Sequence, residues 1–328
     1  MKKILKFMGY FMLILLFAVS ILIAYIKMAL PNVGKAEDLK IEITPERVER
    51  GKYLANCVTI CMDCHSTRDW TKFSGPITPG TFGNGGEKFA EEFGFPGVYF
   101  SKNITPYGIK DYTDGELLRV ITTGVNKKGE AMFPIMPYPY YGKMDKEDIY
   151  SIIAYIRTLP SIQKEVPNSK SNFPMNIIIN TIPEKASFEK IPPKTNQLEY
   201  GRYMVNASGC AECHTQVDKG QIIPELRFSG GREFIISKNE IVRSANITSD
   251  KETGIGSWTE DQFINKFKSY SDSSGYMAPT VGANDFKTIM PWTMYANMTH
   301  EDLSAIYHYL FSLKSIPNKV VTYSNTDR

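Results

Sequence analysis

Apolar residues form one unbroken run at the start of the chain and helical patterns further along it. The run covers residues 7–26, with lysines before it and Lys27 directly after it. About 20 helical residues rise about 30 Å, which is the thickness of the hydrocarbon core of a bilayer. Positive charge before the run favours a cytoplasmic N-terminus and export of the remainder. The pattern predicts a membrane anchor over residues 1–33, and the alternative is a cleaved signal peptide.

Helical patterns of polar and apolar residues recur in two halves of the chain. In each half, one helix is expected to begin after Thr113 or Thr259, and a second after Asp145 or Thr299. These residue types are common N-caps, and acidic residues follow them in the first turn. The apolar spacing of the second helix predicts one buried face. That face consists of Ile149, Ile152, Ile153 and Ile156 in the first half, and of Leu303, Ile306, Tyr307 and Leu310 in the second.

Similar segments in the same order indicate a duplication. Glu-Arg-Gly-Lys-Tyr-Leu at residues 49–54 corresponds to Glu-Tyr-Gly-Arg-Tyr-Met at residues 199–204. Asn-Ile-Thr occurs at residues 103–105 and again at residues 246–248, each time after a pair of glycines. Such segments are typical of irregular backbone between helices. The repeat predicts that one mainly helical fold is built twice.

The expected domain boundaries follow from this duplication. A chain of 328 residues is long enough for two domains, which we expect over residues 34–165 and 197–317. Residues 166–196 are rich in proline and small polar residues, which predicts a connector. Its middle, residues 175–179, is apolar enough to lie against a domain surface. The tail, residues 318–328, gives no structural signal.

Each half begins with a short cysteine–histidine motif. The C-x-x-C-H pattern consists of Cys61, Cys64 and His65 in the first half and of Cys210, Cys213 and His214 in the second. It is the attachment signature of c-type haem, in which the cysteines form thioether bonds and the histidine binds iron. A redox dithiol would need a βαβ context, and a zinc site four converging ligands. The two motifs therefore predict two covalently bound haems c.

The sixth iron ligand can be sought among the methionines that the two halves share. Met136 corresponds to Met290, and both precede a proline in the loop before the last helix. A residue before proline favours an extended conformation, which suits a loop that presents a thioether to a flat ring. A methionine ligand is typical of electron transfer and raises the haem potential. We therefore expect Met136 and Met290 to be the sixth ligands.

The second shared pair of methionines has a structural explanation. Met144 and Met298 each precede a predicted N-cap, Asp145 or Thr299, in what resembles a capping box with a hydrophobic staple. The methionine would then pack against the first turn of the helix. Met132 and Met277 have no counterpart in the other half, so neither is expected to bind iron.

Other candidate ligands have simpler explanations. Cys57 lies four residues before Cys61, where a small buried thiol is expected rather than a sixth ligand. His300 lies in a first helical turn and is expected to be solvated, whereas His308 is expected to lie in the core or at its rim. The aromatic side chains that could wall the haem pockets are Trp258, Trp292, Tyr138 and Tyr295.

These features resemble the membrane-anchored dihaem and multihaem cytochromes c that include the cytochrome c subunits of bacterial alcohol and sugar dehydrogenases. The shared features are C-x-x-C-H, Asn-Ile-Thr, Gly-Ile-Gly-Ser-Trp-Thr at residues 254–259, and Met-Pro before an aromatic residue. The resemblance covers residues 47–160 and 197–317. It implies an all-α fold, with two tandem class I cytochrome c domains after the transmembrane helix.

The chain also departs from that family. Its dehydrogenase subunits usually carry three haems, whereas this sequence has two motifs. In the first half, Tyr-Gly-Ile-Lys-Asp-Tyr at residues 107–112 replaces the Gly-x-Gly-x-Trp segment. We therefore expect the two haem pockets to differ and their potentials to be unequal.

The expected function is electron transfer without substrate chemistry of its own. A net charge of +3 and the absence of a basic run argue against nucleic acid as a partner. We expect a protein of the inner membrane with its haems on the periplasmic side. Its partners would be redox proteins, such as a dehydrogenase, a quinol-oxidising complex or a terminal oxidase.

The alternative functions are a subunit within a dehydrogenase complex and a dihaem enzyme. A peroxidase must free one iron position, and Met-Pro in both halves argues against that. A thiosulfate dehydrogenase would need an unusual ligand, for which Cys57 is the only spare thiol in the sequence.

Overall fold

The computed structural model describes residues 2–282 and 285–325 of the chain. A long helix, α1 (Lys2–Ala29), comes first and has no buried residue. It extends beyond the predicted apolar run at both ends because lysine does not interrupt helical hydrogen bonding. Pro31, which cannot continue a helix, follows its C-terminus. The helix is long and apolar enough to cross a membrane.

Twelve further α-helices follow in the described part of the chain, several of them single turns. They are α2 (Pro45–Tyr53), α3 (Cys61–Cys64), α4 (Pro106–Ile109), α5 (Asp114–Thr123), α6 (Tyr138–Tyr141), α7 (Lys146–Arg157), α8 (Met175–Ile178), α9 (Gln197–Ala207), α10 (Cys210–Cys213), α11 (Glu260–Lys268), α12 (Trp292–Tyr295) and α13 (His300–Ser312).

Small antiparallel sheets accompany the helices. The strands are β1 (Lys88–Phe89), β2 (Gly97–Phe100), β3 (Lys170–Ser171), β4 (Val217–Asp218), β5 (Gln221–Ile222), β6 (Glu233–Ser237), β7 (Glu240–Arg243) and β8 (Tyr323–Asn325). They form the sheets β1-β2-β3, β4-β5 and β6-β7-β8. The expectation of an all-α fold was therefore too simple, because the loop after each C-x-x-C-H motif folds back as a short hairpin.

The first and last helices of each half pack closely against one another, α2 against α7 and α9 against α13. A glycine in the first helix permits this approach. A Cβ on Gly51 would lie 1.8 Å from the carbonyl oxygen of Ser151, and one on Gly201 would lie 2.0 Å from that of Ala305. The glycine shared by the two halves is therefore required by packing.

The predicted helix starts are confirmed. Thr113 and Thr259 each cap a helix through a complete capping box. Asp145 and Thr299 also cap their helices, α7 and α13, by accepting a first-turn backbone N–H. Met144 and Met298, directly before these caps, are fully buried in the core.

The predicted capping boxes at α7 and α13 are incomplete. Asp148 and Asp302, which would have returned a hydrogen bond to the N-cap backbone, instead accept one from a tyrosine of the opposite half. The tyrosine hydroxyl in turn accepts the N-cap N–H, since Asp145 N lies 3.1 Å from Tyr203 Oη. A contact between the halves thus replaces the local cap.

One core connects the two halves, since their buried apolar side chains form a single cluster among the described residues. The short helix α12 of the second half packs on the first half, next to α2, and α6 of the first half packs on α9. A backbone bridge between Lys72 and Thr280 joins loops of the two halves. The halves therefore lie in direct contact, and the connector does not hold them apart.

The connector is also structured. Lys170 and Ser171 form β3, which pairs with β2, and α8 follows. Further along, the backbone N–H of Ile191 donates to Asp145 at 3.0 Å. The tail contributes β8, although its sequence gave no signal for a strand. Residues 326–328 of the predicted tail lie outside the described residues.

Candidate haem sites

Each C-x-x-C-H motif forms a single helical turn of its own. The turn begins after a residue in the left-handed conformation, Ile60 with φ 45° or Gly209 with φ 63°. The histidine closes the turn, because its backbone N–H donates to Cys61 O at 3.0 Å or, for His214, to Cys210 O at 2.9 Å. The helix that precedes each motif therefore ends directly before it.

From the shared glycine, Gly51 or Gly201, to the first cysteine of the motif, the first half has one residue more than the second half. A π-helix in the first half accommodates the extra residue. After α2 the first half winds through a five-residue π-helix, Leu54–Val58, whereas α9 remains α-helical to Ala207. A π-turn accommodates one extra residue in a helix. Cys57, which is half-buried, lies in this turn.

Both motif histidines are oriented by a backbone carbonyl. His65 Nδ1 lies 2.6 Å from Lys102 O, and His214 Nδ1 lies 2.7 Å from Ala245 O. A carbonyl can only accept, so Nδ1 carries the proton and Nε2 keeps its lone pair for a metal. Burial lowers the pKa of both imidazoles below 6.5, although the carbonyl contacts oppose the shift. Both rings therefore favour the neutral form, which is the form that can bind a metal.

The Asn-Ile-Thr segments hold these carbonyls in place. Asn103 Oδ1 accepts the backbone N–H and the hydroxyl of Thr105 at 3.0 and 2.7 Å, and its Nδ2 donates to Ile162 O at 2.9 Å. The equivalent contacts in the second half are made by Asn246, Thr248 and Ile316. The segment following the last helix is thus tied to the loop that orients the histidine.

A glycine with positive φ permits the same loop to pass close to the histidine. Gly85 N donates to His65 O at 2.8 Å, and Gly230 N donates to His214 O at 2.9 Å. A Cβ on either glycine would lie about 2.5 Å from the backbone next to the orienting carbonyl. Sequence reasoning identified the repeated glycines but not this role.

The two Met-Pro segments have the same backbone geometry. Tyr138 N donates to Met136 O at 2.7 Å, and Trp292 N donates to Met290 O at 2.8 Å. The prolines between them have φ and ψ of −77° and 53°, and of −80° and 64°. These are inverse γ-turns. Met136 and Met290 are both partly buried and pack against the core.

A buried tyrosine connects each methionine loop with the haem motif of its own half. Tyr141 Oη donates to Thr59 O at 2.8 Å, and Tyr295 Oη donates to Ser208 O at 2.7 Å. Both carbonyls lie two residues before the first cysteine of the motif. The predicted histidine and methionine ligands of each half are thus held on adjoining segments.

The charges beside the two motifs differ. Asp63 and Arg68 form an ion pair of 2.7 Å in which both side chains are buried. Glu212, at the position equivalent to Asp63, pairs with Arg232. The counterpart of Arg232 in the repeat is Glu87, so the first motif has an additional carboxylate nearby.

The two remaining histidines lie where sequence reasoning suggested. His300 is exposed, and His308 Nε2 lies 3.1 Å from Glu260 at the rim of the core. Trp292 stacks on Tyr270, with ring centroids 4.9 Å apart. Sequence reasoning missed Lys102 and Ala245, because they act through their backbone. The repeated Asn-Ile-Thr segment directly after them was the only signal.

The residues present fit a covalently bound haem c. Two cysteines occupy one helical turn, and the adjacent histidine has its Nε2 free of the orienting bond. Within residues 2–282 and 285–325, no three His, Cys, Asp or Glu side chains converge as a metal cluster would require. That finding gives the zinc alternative no support in the described part of the chain.

Comparison with known proteins gives consistent results. Residues 198–314 match the cytochrome c family model. The chain is 28% identical over 293 residues to the cytochrome c subunit of a quinone alcohol dehydrogenase from Gluconacetobacter polyoxogenes, covering 84% of this chain and 58% of that protein. It is 26% identical over 300 residues to the gluconate 2-dehydrogenase cytochrome c subunit of Pantoea cypripedii, covering 86% and 63%.

A shorter match is to a dihaem protein. The diheme cytochrome c-type protein of Cereibacter sphaeroides is 26% identical over 164 residues, which are 47% of this chain and 53% of that protein. The chain spans little more than half the length of the alcohol dehydrogenase cytochrome c subunit.

Proposed function

The chain has a cytochrome c domain and is related to cytochrome c subunits of dehydrogenases, and we propose that it is a membrane-anchored electron carrier with two haems c. The two haems would occupy two tandem domains, residues 34–165 and 197–317. The main support for the proposal is that each half orients its motif histidine by a carbonyl at the equivalent position and forms the same turn at its Met-Pro segment.

The proposed iron ligands are His65 with Met136, and His214 with Met290. Bound haem c supplies an iron that exchanges one electron. The chain's residues determine how the iron is held. The carbonyls on Nδ1 make each imidazole a stronger ligand, and the methionine thioethers favour ferrous iron. Partial burial of both methionines supports a closed sixth position that excludes small molecules.

Contacts between the halves support electron transfer from one haem to the other. Tyr140, on α6 of the first half, has its hydroxyl 3.2 Å from Glu212 in the second motif. Asn206 Nδ2, on the helix before that motif, donates to Tyr140 O at 3.0 Å. The first methionine loop thus lies beside the second haem motif. The different charges beside the motifs support unequal haem potentials.

The anchor helix supports a location at the inner membrane. With lysines before the apolar run, α1 would have its N-terminus in the cytoplasm, and both haems would face the periplasm. The partners would be redox proteins. The names of the relatives favour a dehydrogenase as the electron donor, so the chain could also act as the electron-transfer subunit of such a complex.

The enzymatic alternatives receive less support. A peroxidase needs an open iron position, whereas the Met-Pro turn is built alike in both halves. Cys57 lies in the π-helix just before the first haem motif and not in the Met-Pro loop. That position does not suit a sixth ligand, which argues against a thiosulfate dehydrogenase.

Carbon monoxide binding to the reduced holoprotein tests the proposed ligands. Wild type should bind none, because both sixth positions are closed. Met136→Ala and Met290→Ala should each open one haem to carbon monoxide. Met132→Ala is the matched control, because Met132 lies in the same loop as Met136 and has no counterpart in the second half. Carbon monoxide binding by wild type, or by the Met132 variant alone, would refute the assignment.

A further inference from the structure

The connector contains an uncharged segment that is rich in apolar residues. Between Lys170 and Glu184 no residue is charged. Several of the apolar side chains are at least partly exposed, with Phe173 78% and Ile178 44% exposed. A contiguous exposed apolar surface marks an interaction site more often than singly scattered apolar side chains do.

This segment lies against the membrane helix. The single turn of α8 and the 3₁₀ turn Ile179–Thr181 that follows it both pack on α1. Along α1 every described residue is exposed except Ile23 and Ile26, which are half-buried and lie on one face. Ile26 directly precedes Lys27, which ends the apolar run, and Ile23 lies about one helical turn earlier. The contact is therefore at the end of α1 where the chain leaves the hydrocarbon core.

Backbone hydrogen bonds hold the segment on the first half. Just before it, β3 pairs with β2, and Asn172 N donates to Pro96 O at 2.9 Å. Asn176 N donates in turn to Asn172 O at 2.9 Å. The apolar side chains are thus presented by a hydrogen-bonded base and not by a free loop.

From this arrangement we propose that residues 173–182 are a second membrane contact, which inserts into the lipid interface beside α1. Apolar side chains at such a site enter the boundary between headgroups and acyl chains, while the neighbouring polar groups remain hydrated. Lipid is the expected occupant because the segment adjoins the one helix in the described chain that is suited to a bilayer. The inference rests on the proposed membrane anchor.

The contact has a consequence for electron transfer. A single helix on a flexible connection would let the first half take any orientation relative to the membrane. A second contact, fixed to β2 through β3, holds one face of the first half toward the bilayer. The first haem motif would then have a constant orientation toward membrane-bound partners.

Photolabelling of the full-length holoprotein tests the proposal. The protein is reconstituted in phosphatidylcholine vesicles that contain a phospholipid with a photoactivatable diazirine in its acyl chain. Trypsin then releases residues 7–27 of α1, residues 171–185 of the connector and, as an internal control, residues 269–287. The control peptide contains Met277, which is 87% exposed but lies in the second half.

The expected result is that the peptides 7–27 and 171–185 are labelled and that 269–287 is not. The double variant Phe173→Ser, Ile178→Asn should reduce labelling of 171–185 by about tenfold and leave 7–27 unchanged. The matched control Met277→Ser should change neither. The proposal would be overturned if peptide 7–27 is labelled but peptide 171–185 is labelled no more strongly than the control peptide. Absence of label on 7–27 would instead refute the anchor itself.

Discussion

The hydroxyl of Ser74 binds the backbone of Met290 across the boundary between the two halves. Ser74 Oγ donates to Met290 O at 2.6 Å and accepts the Trp292 N–H at 3.1 Å. Ser74 is buried and has φ 64°, an unusual conformation for a residue with a side chain. The turn that presents the proposed ligand of the second haem is therefore completed by a side chain of the first half.

Replacement of Ser74 by alanine should affect the second haem only. The change leaves two backbone groups of the Met290 turn without a side-chain partner, which we expect to cost about 1–2 kcal/mol of stability. The Met-to-ferric charge-transfer absorption of the second haem should weaken, because its ligand turn is less well held. Met136→Ala removes the proposed methionine ligand of the first haem. Visible spectra of Ser74→Ala in that background therefore report the charge-transfer absorption of the second haem alone.

Thr122→Val is the matched control for Ser74→Ala. It removes a buried hydroxyl that donates to Leu118 O at 2.7 Å within a helix of the first half. Its stability should fall, but the second haem's absorption should not. Equal spectra for Ser74→Ala and Thr122→Val would show that Ser74 has only a structural role.

The reciprocal tyrosines should determine whether the halves unfold together. Tyr203 Oη donates to Asp148 at 2.6 Å and accepts the N-cap N–H of Asp145. Tyr53 makes the equivalent contacts with Asp302 and Thr299. Each change to phenylalanine should cost about 1–3 kcal/mol, because a buried donor and a carboxylate each lose a partner.

In calorimetry, the double variant Tyr53→Phe, Tyr203→Phe should broaden or split the unfolding transition. Tyr99→Phe provides the comparison, since Tyr99 Oη donates to Pro96 O at 3.1 Å and lies 3.0 Å from Ser171 Oγ, both outside the contact between the halves. That variant should lower the midpoint and keep a single transition. An unsplit transition of unchanged width in the double variant would argue against coupling through these tyrosines.

Glu240 should make the attachment of the tail depend on pH. Glu240 is 6% exposed, and its carboxylate accepts from Lys287 and Tyr323 at 2.9 and 2.8 Å. Burial alone would raise the pKa of Glu240, but the donors, with Lys287 the strongest, lower it below 4.5. A lowered folded-state pKa stabilises the protein above the unfolded pKa, and that contribution disappears as pH falls through the folded value.

We therefore expect Glu240→Gln to destabilise the protein by about 1–2 kcal/mol at pH 7. The difference from wild type should shrink as the pH falls below 4.5. Urea unfolding at several pH values measures this difference in the free energy of unfolding, and amide exchange at Tyr323 reports detachment of β8. A difference that grows toward low pH would contradict the assigned direction.

Cys57 should be dispensable for haem ligation. Its thiol is half-buried in the π-helix directly before the first haem motif, on the segment that carries the proposed histidine ligand. Cys57→Ser should therefore leave the absorption spectrum and both reduction potentials unchanged between pH 6 and 8. A new low-spin species or a lost electron paramagnetic signal in Cys57→Ser would establish the thiol as a ligand.

The sequence was most informative where a haem site or a helix cap requires a particular type of side chain. The C-x-x-C-H motifs, the shared Met-Pro pairs and the N-caps Thr113 and Thr259 could all be recognised by residue type. The carbonyls of Lys102 and Ala245 could not, because any residue can supply a backbone oxygen. Only the Asn-Ile-Thr repeat indicated that this backbone is fixed.

Contacts between distant segments were not predictable from local patterns. Asp148 and Asp302 looked like partners of their own N-caps, but tyrosines from the opposite half take that place. The strand β8 was missed because its pairing partner, β7, lies far away along the chain. Periodicity describes one element at a time, so it does not report which elements meet.

A redox titration of the purified holoprotein, followed by optical and electron paramagnetic resonance spectra, tests the central claim most directly. We expect two one-electron transitions at unequal potentials, with a Met-to-ferric charge-transfer absorption belonging to each. Both ferric irons should be low-spin. A single transition from one haem, or a high-spin or bis-histidine signal at either iron, would contradict it.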